Sequence, residues 1–243
     1  MTATPKRALV TGGSGGIGAA ICLRLARAGH YVYVHANRNH DAAQALVGQI
    51  TAEGGTAESL SFDITDAAAT HAALATVLQA GAVQILVNNA GVIDDGAFPA
   101  LAPAQWQRVL DVSVNGFYHV TQPLILPMIR TRWGRIVNVS SVAALIGNRG
   151  QVNYAAAKGA LNSATKALAL EVATRGITVN AIAPGIIASG MGDKNFDPSL
   201  IEQLVPMKRA GQPEEVADLV AFLASDEAAY ITSQIISISG GMA

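Results

Sequence analysis

Cysteine is almost absent from this sequence. Cys22 stands alone, so no intrachain disulfide can staple the fold, and a reducing compartment suits it. Charge is also sparse: 14% of residues are Asp, Glu, Lys or Arg, and the net charge of -1 gives no electrostatic reason to expect a nucleic-acid partner. No apolar run reaches the roughly 18 residues that would span a bilayer. The opening Met1-Thr-Ala-Thr-Pro-Lys-Arg7 runs into a strand-like segment and lacks the apolar core of a signal peptide. These absences make the cytoplasm the expected setting, with no membrane or nucleic acid as partner. There is no internal repeat, low-complexity tract or linker, and no metal site is read. What the chain has in quantity is apolar side chains: 51% of 243 residues, enough to bury one large core, so residues 1–243 are expected to form one domain.

Short β-rich runs alternate with longer helical ones, which predicts an α/β fold of Rossmann type: a doubly wound, mostly parallel seven-stranded sheet with helices on both faces. The strands are expected at Ala8–Val10, Tyr31–His35, Ala57–Phe62, Ile85–Val87, Arg135–Val139, Thr178–Ile182 and Ile235–Ile238. Ile17, Ile21 and Leu25 would share one face of a first helix. Further helices are expected over Ala42–Glu53, Ala67–Gln79, Tyr154–Ala173 and from Pro213. A long helix from Pro103 to Arg130 should bend near Pro123 or end by Pro127. The one long irregular stretch is Pro184–Gln212, rich in Gly and Pro with a short helix near Pro198–Val205, and it is the expected substrate loop.

Directly after the first strand comes Thr11-Gly-Gly-Ser-Gly-Gly-Ile-Gly18, opening a helix. Glycines let the backbone turn tightly and approach a pyrophosphate, and the helix N-terminus offers free N–H groups and a favourable dipole. Gly18 would also let the helix pack closely on the sheet. After the second strand the chain reads His35-Ala-Asn-Arg-Asn-His40, with no acid before Asp41 to bond a ribose 2′-hydroxyl. Arg38 there would suit a 2′-phosphate, which favours NADP(H) over NAD(H).

Tyr154 and Lys158 lie four residues apart on a helix, so their side chains share one face. A phenol with an ordinary pKa of about 10 is a poor acid–base group near neutrality, and a neighbouring ammonium stabilises the phenolate. Ser141 follows the fifth strand at the carboxyl edge of the sheet, where doubly wound folds bind their ligands. The Tyr154–Lys158 spacing alone is common; its company gives it weight.

The chain resembles the short-chain dehydrogenase/reductases over nearly its whole length. The matching residues are Thr11-Gly12 with Gly16 and Gly18, Asp63, Asn88-Asn-Ala-Gly91, Ser141, Tyr154 with Lys158, Pro184-Gly185 and Ser239-Gly-Gly241. The resemblance implies that Tyr154 protonates a substrate carbonyl oxygen as hydride arrives from the nicotinamide. Lys158 would hold the nicotinamide ribose and tune Tyr154, and Ser141 would hydrogen-bond the carbonyl. It assigns cofactor contacts to Gly12, Ser14, Gly16, Ile17, Gly18, Asn37, Arg38, Asp63, Ile64, Asn89, Ala90, Gly91, Pro184, Gly185 and Ile187, with Asp63 and Asn89 on the adenosine half.

Two positions depart from the family pattern. Relatives carry Asn-x-x-Gly on the helix after the fourth strand, where the asparagine helps hold a relay water. Here the reading Asp111-Val-Ser-Val-Asn-Gly-Phe117 puts Ser113 in that register, with Asn115 aimed elsewhere. The second departure is Gly15, where many NADPH-specific relatives carry a basic residue.

Within the family, Val137–Ser141, Arg175–Gly185 and Tyr230–Gly241 are most similar to the 3-oxoacyl-[acyl-carrier-protein] reductases. Asn148–Tyr154 and Pro206–Gly211 resemble those of aryl-polyene-type pathways. That resemblance implies an acyl carrier protein as partner, received by Arg132 and Arg175, and a homotetramer. Both arginines are equally readable as solvated helix-end residues. Two rival functions stay open: a dehydrogenase of a small secondary alcohol, sugar or steroid, and a nucleotide-sensing protein without turnover.

Overall fold

The computed structural model describes residues 5–189 and 198–243; Met1–Thr4 of the opening segment and Gly190 and Gly192 of the expected substrate loop lie outside the described residues. Seven strands, β1 (Arg7–Val10), β2 (Tyr31–Ala36), β3 (Thr56–Ser61), β4 (Ile85–Asn88), β5 (Gly134–Val139), β6 (Ile177–Pro184) and β7 (Ile235–Ile238), form one sheet in the order β3-β2-β1-β4-β5-β6-β7. Every pairing is parallel. The connections step one way from β1 to β3 and the other way from β4 to β7. The reversal falls between β1 and β4, the switch point beside which such sheets bind ligands.

Burial explains the strands. In β1, Ala8 and Val10 pack with α1 (Gly16–Arg27), α2 (His40–Ala52) and α9 (Pro213–Leu223), whereas Leu9 faces the side occupied by α3 (Ala67–Gln79), α5 (Gly116–Thr131) and α7 (Val152–Val172). Neighbouring side chains thus serve two cores, and a strand covered on both faces reads as a continuous apolar run. The edge strand β3 instead alternates exposed and half-buried residues. Of the expected Ile17, Ile21 and Leu25 stripe of α1, Ile21 and Leu25 are buried and Ile17 is half-buried against the same core.

The long helix expected from Pro103 to Arg130 differs in two respects. It is interrupted early, by a π-helical turn (Asp111–Asn115) between α4 (Pro103–Leu110) and α5, and it runs through both prolines to Thr131. Val120, Leu124 and Met128, spaced by four, are all fully buried against the sheet, and that packing outweighs the bonds that Pro123 and Pro127 remove. The remaining helices are the short α6 (Ala143–Ile146) and α8 (Pro198–Leu204).

Candidate active site

The carboxyl ends of β1, β4, β5 and β6 meet at one edge, and each delivers a piece of the site. After β1 the glycine loop turns with Gly12 at φ 61° and Gly16 at φ 52°, the left-handed region that side chains avoid. A Cβ on Gly18 would lie 2.2 Å from the Gly12 carbonyl oxygen, so only glycine lets α1 start where it does. Gly15, by contrast, has nothing within 4 Å of a built Cβ. The loop is therefore a cradle that side chains would fill at the positions the dinucleotide pattern requires, and the residues present fit such a cofactor.

After β4, Asn89 ties its own segment to the glycine loop. Its amide Nδ2 donates to the carbonyls of Thr11 (2.9 Å) and Gly12 (3.0 Å), and the backbone N–H groups of Asn89 and Ala90 donate to Thr11 Oγ1, both at 3.0 Å. The β4 loop thus holds the glycine loop from below. The preceding Asn88 lies in a buried polar chain: it donates to Thr121 Oγ1 and Asn138 Oδ1, and Asn138 in turn donates to Thr165 Oγ1. Each donor finds an acceptor, so the polar groups cost little and fix β4, β5, α5 and α7 relative to one another.

After β3, the Asp63 carboxylate accepts bonds from Thr65 N (2.9 Å) and Thr65 Oγ1 (2.8 Å). Burial pushes this carboxyl up, but the Thr65 bonds, a bond from Asn37 and the charge of Arg38 together hold it below its ordinary range. Asn37, Arg38 and Asp63 are thereby brought together, with Arg38 exposed.

After β5, Ser141 is 9% exposed, its Oγ accepting from Ala143 N at 3.1 Å. It shares a hydrogen bond with the Tyr154 hydroxyl. Burial pushes the Tyr154 phenol up, the Ser141 bond pulls it down, and the charge of Asp95 pushes it up again. Lys158 is 2% exposed; its Nζ donates to the Val139 carbonyl at 2.8 Å and lies 5.6 Å from the Tyr154 ring centroid. Burial alone lowers its pKa to about 8. A lowering of the Tyr154 pKa by Lys158, expected from the spacing, is not what dominates here: desolvation of the phenol does.

The N-terminus of α7 is fixed by Asn153, fully buried, whose Nδ2 donates to the Asp94 carbonyl at 2.8 Å while its Oδ1 accepts from Tyr154 N. Gln151 Nε2 donates to Asp95 Oδ2 at 2.9 Å. The segment after β4 is in this way locked to the start of the Tyr154 helix.

The π turn aims Ser113 inward and Asn115 outward, as the glycine register requires. Ser113 is 2% exposed, and its Oγ has no hydrogen-bond partner among the described residues. It borders a small cavity of about 10 Å³, the size of a single water, lined by Thr11, Asn88, Ala90 and Leu161 among others. Asn115 Nδ2 instead donates to Asp111 Oδ1 at the surface. Ile187 after β6 pairs with Gly211, closing the ends of the 184–212 segment on each other. A Cβ on Gly16 would come within 2.9 Å of the Ser189 carbonyl oxygen, so this segment passes close over the glycine loop.

Arg132 and Arg175 fall elsewhere. They precede β5 and β6, at the amino edge of the parallel sheet opposite Ser141; both are exposed, and Arg132 reaches the Thr174 carbonyl at 3.5 Å. His35 and His119 are structural contributors that sequence reading passed over. A polar ring closing an otherwise apolar strand, as His35 does in Tyr31–Ala36, was the available signal.

Fold and site together define a nicotinamide-dependent oxidoreductase acting on CH–OH or C=O groups. The short chain dehydrogenase family model matches residues 6–199, and the chain belongs to that family. It is 46% identical over 236 residues to the 3-oxoacyl-[acyl-carrier-protein] reductase FabG of Aggregatibacter actinomycetemcomitans, covering 96% of this chain and 98% of that one. It is 42% identical to the 3-oxoacyl-[acyl-carrier-protein] reductase of Synechocystis sp., covering 100% and 99%. A crystal structure from Agrobacterium tumefaciens, provisionally named a gluconate dehydrogenase, superposes with a TM-score of 0.94 at 32% identity, covering 98% of this chain and 95% of that one. Among the described residues, no helix is long and apolar enough to cross a membrane.

Proposed function

We propose that this chain reduces a 3-oxoacyl thioester on acyl carrier protein to the 3-hydroxyacyl form, with NADPH as the reductant. The observation that carries the reading is the gathering of Ser141, Tyr154 and buried Lys158 at the carboxyl edge of the sheet. The substrate class is supported by full-length similarity to relatives named for that reaction. A bound nicotinamide nucleotide would supply the hydride that the carbonyl carbon needs. Ser141 orients the carbonyl oxygen, and Tyr154 gives that oxygen its proton; burial, by raising the phenol, keeps the proton on Tyr154 until the oxygen becomes basic. The Lys158 ammonium stabilises the phenolate left behind, and Ser113 with its cavity supplies the place for the water that returns the proton.

On this reading Gly12, Ser14, Gly16, Ile17 and Gly18 hold the pyrophosphate, Asn37, Arg38, Asp63 and Ile64 the adenosine half. Asn89 also serves the adenosine half, and Ala90, Gly91, Pro184, Gly185 and Ile187 line the nicotinamide side. Exposed Arg38, with no acid before Asp41, supports NADPH over NADH. A carrier protein docked on Arg132 and Arg175 would sit at the far edge from its own chain's Ser141, so that contact fits delivery to a neighbouring copy in the proposed tetramer. Exposed Tyr118, Leu126 and Leu170 on α5 and α7 support such an assembly. The single buried thiol of Cys22 is consistent with the cytoplasm as the proposed setting.

The similarity to a gluconate dehydrogenase structure favours a small-alcohol substrate as the second reading. Oxidation of NADPH and NADH followed with a 3-oxoacyl thioester and with a panel of sugar and steroid ketones decides between them. Thioester turnover with NADPH is expected; turnover of the ketones alone would overturn the assignment.

A further inference from the structure

Strand β2 lies between β1 and β3, so a residue at its carboxyl end can touch the loops that follow both neighbours. His35 occupies that place and is 1% exposed. Two consecutive amides of the glycine loop are bonded to it: Gly12 N donates to the ring Nδ1 at 3.2 Å, and Gly13 N to the His35 carbonyl at 2.8 Å. On the other side the ring Nε2 stands 2.9 Å from the Phe62 carbonyl oxygen, with the imidazole 4.2 Å from the Phe62 ring centroid. Because Nδ1 accepts from an N–H and Nε2 faces a carbonyl, one tautomer satisfies both contacts: neutral, with the proton on Nε2.

Phe62 opens the turn that presents Asp63. Its three successive carbonyls each meet a side chain: Phe62 meets His35, Asp63 accepts from Thr70 Oγ1 at 3.2 Å, and Ile64 meets His119 Nδ1 at 2.9 Å. Of these three side chains, His35 alone also bonds the glycine loop. We infer that His35 is a positioning residue of the nucleotide cradle, setting the distance between the glycine loop and the Asp63 turn that a dinucleotide must bridge. This rests on the nucleotide reading given above.

The ring's environment suits that role. Burial lowers the His35 pKa to about 4, against the opposing pull of the Phe62 carbonyl and of Asp63, the charged group whose field reaches the ring. The imidazole therefore stays neutral, the form that both contacts need, through the neutral range. A purely space-filling histidine would be replaceable by leucine without consequence for ligand binding. A positioning one would not, since leucine leaves the Gly12 N–H and the Phe62 carbonyl without partners.

The test is a fluorescence titration of NADPH into the wild-type chain, His35→Leu and His35→Gln, with kcat measured at saturating nucleotide and folding followed by circular dichroism. Glutamine retains one acceptor and one donor. The expected result is a Kd raised about tenfold or more in the leucine variant and within about threefold of wild type in the glutamine variant, kcat staying within about twofold in both. A folded leucine variant with wild-type Kd, or one in which kcat falls while Kd holds, overturns the inference. If the leucine variant does not fold, His35→Asn replaces it, keeping an acceptor towards Gly12 but too short to reach Phe62. An asparagine variant whose Kd is unchanged overturns the inference, and a rise of about threefold or more at constant kcat upholds it. Failure of the wild-type chain to bind NADPH or NADH would count against the nucleotide reading itself, and so is told apart from failure at His35.

Discussion

Lys158 Nζ stands 5.6 Å from the centroid of the Tyr154 ring, one helical turn along the same face of α7. The lysine is buried enough that its pKa falls to about 8, while the phenol is pushed above its ordinary value. The two shifts set opposite limits. Tyr154 keeps its proton well above neutrality, but Lys158 loses its charge as pH rises through about 8. Carbonyl reduction should therefore decline above about pH 8, and a pH–rate profile of kcat at saturating nucleotide checks this. Activity that stays flat to pH 10 would show that the ammonium is not needed. Tyr154→Phe should lose at least about a hundredfold in kcat, the usual scale of a removed general acid.

Neighbouring glycines of one loop should respond in opposite ways. Gly18→Ala puts a methyl 2.2 Å from the Gly12 carbonyl oxygen, so the variant should lose nucleotide binding or fail to fold. A Cβ at Gly15 meets no atom within 4 Å, so Gly15→Arg should fold normally. Its added positive charge at the mouth of the cradle should raise the preference for NADPH over NADH by about tenfold, read as the ratio of kcat/KM values.

Ser113→Ala separates stability from turnover. Removing a buried hydroxyl that has no partner among the described residues should leave stability unchanged or raise it by about 1 kcal/mol in a denaturant melt. If the hydroxyl holds a relay water in its cavity, kcat should fall about tenfold in the same variant. Equal kcat in the two proteins would remove Ser113 from the proton path.

Far from the site, Arg135 is 3% exposed at the start of β5 and donates to the carbonyls of Ser225 and Gly134, stacks on Trp133 at 4.3 Å, and pairs with exposed Asp226. Arg135→Met should cost about 2 kcal/mol, chiefly through unpaired buried carbonyls, because Asp226 can return to water. Thermal unfolding should shift down by several degrees with kcat unchanged. A fall in kcat at unchanged stability would mean that the amino edge communicates with the site.

His35 predicts acid sensitivity of the fold. Its folded pKa of about 4 lies below the ordinary 6.5, so the unfolded chain takes up the proton first as pH falls. The stability contributed is complete above about pH 6.5 and is lost on going down towards pH 4, by up to about 3 kcal/mol. Urea melts between pH 7 and 4.5 should show that slope in the wild type and a shallower one in His35→Gln.

The sequence by itself determined the order of strands and helices, because apolar periodicity and glycine placement are local. It also singled out the candidates for chemistry: the glycine loop, Ser141, and Tyr154 with Lys158 at helical spacing. The register of Gly116 was enough to turn Ser113 inward and Asn115 out. Only the tertiary structure decided what those groups experience. Burial, a property of the whole packed sheet, made Lys158 a weaker base and Tyr154 a weaker acid, where spacing alone pointed to mutual tuning. Packing of Val120, Leu124 and Met128 carried α5 through two prolines and moved the break to the π turn. Parallel strand direction put Arg132 and Arg175 at the edge away from Ser141. The bridge through His35 joins loops that follow β1 and β3, and no local pattern records a contact between segments brought together only by the sheet.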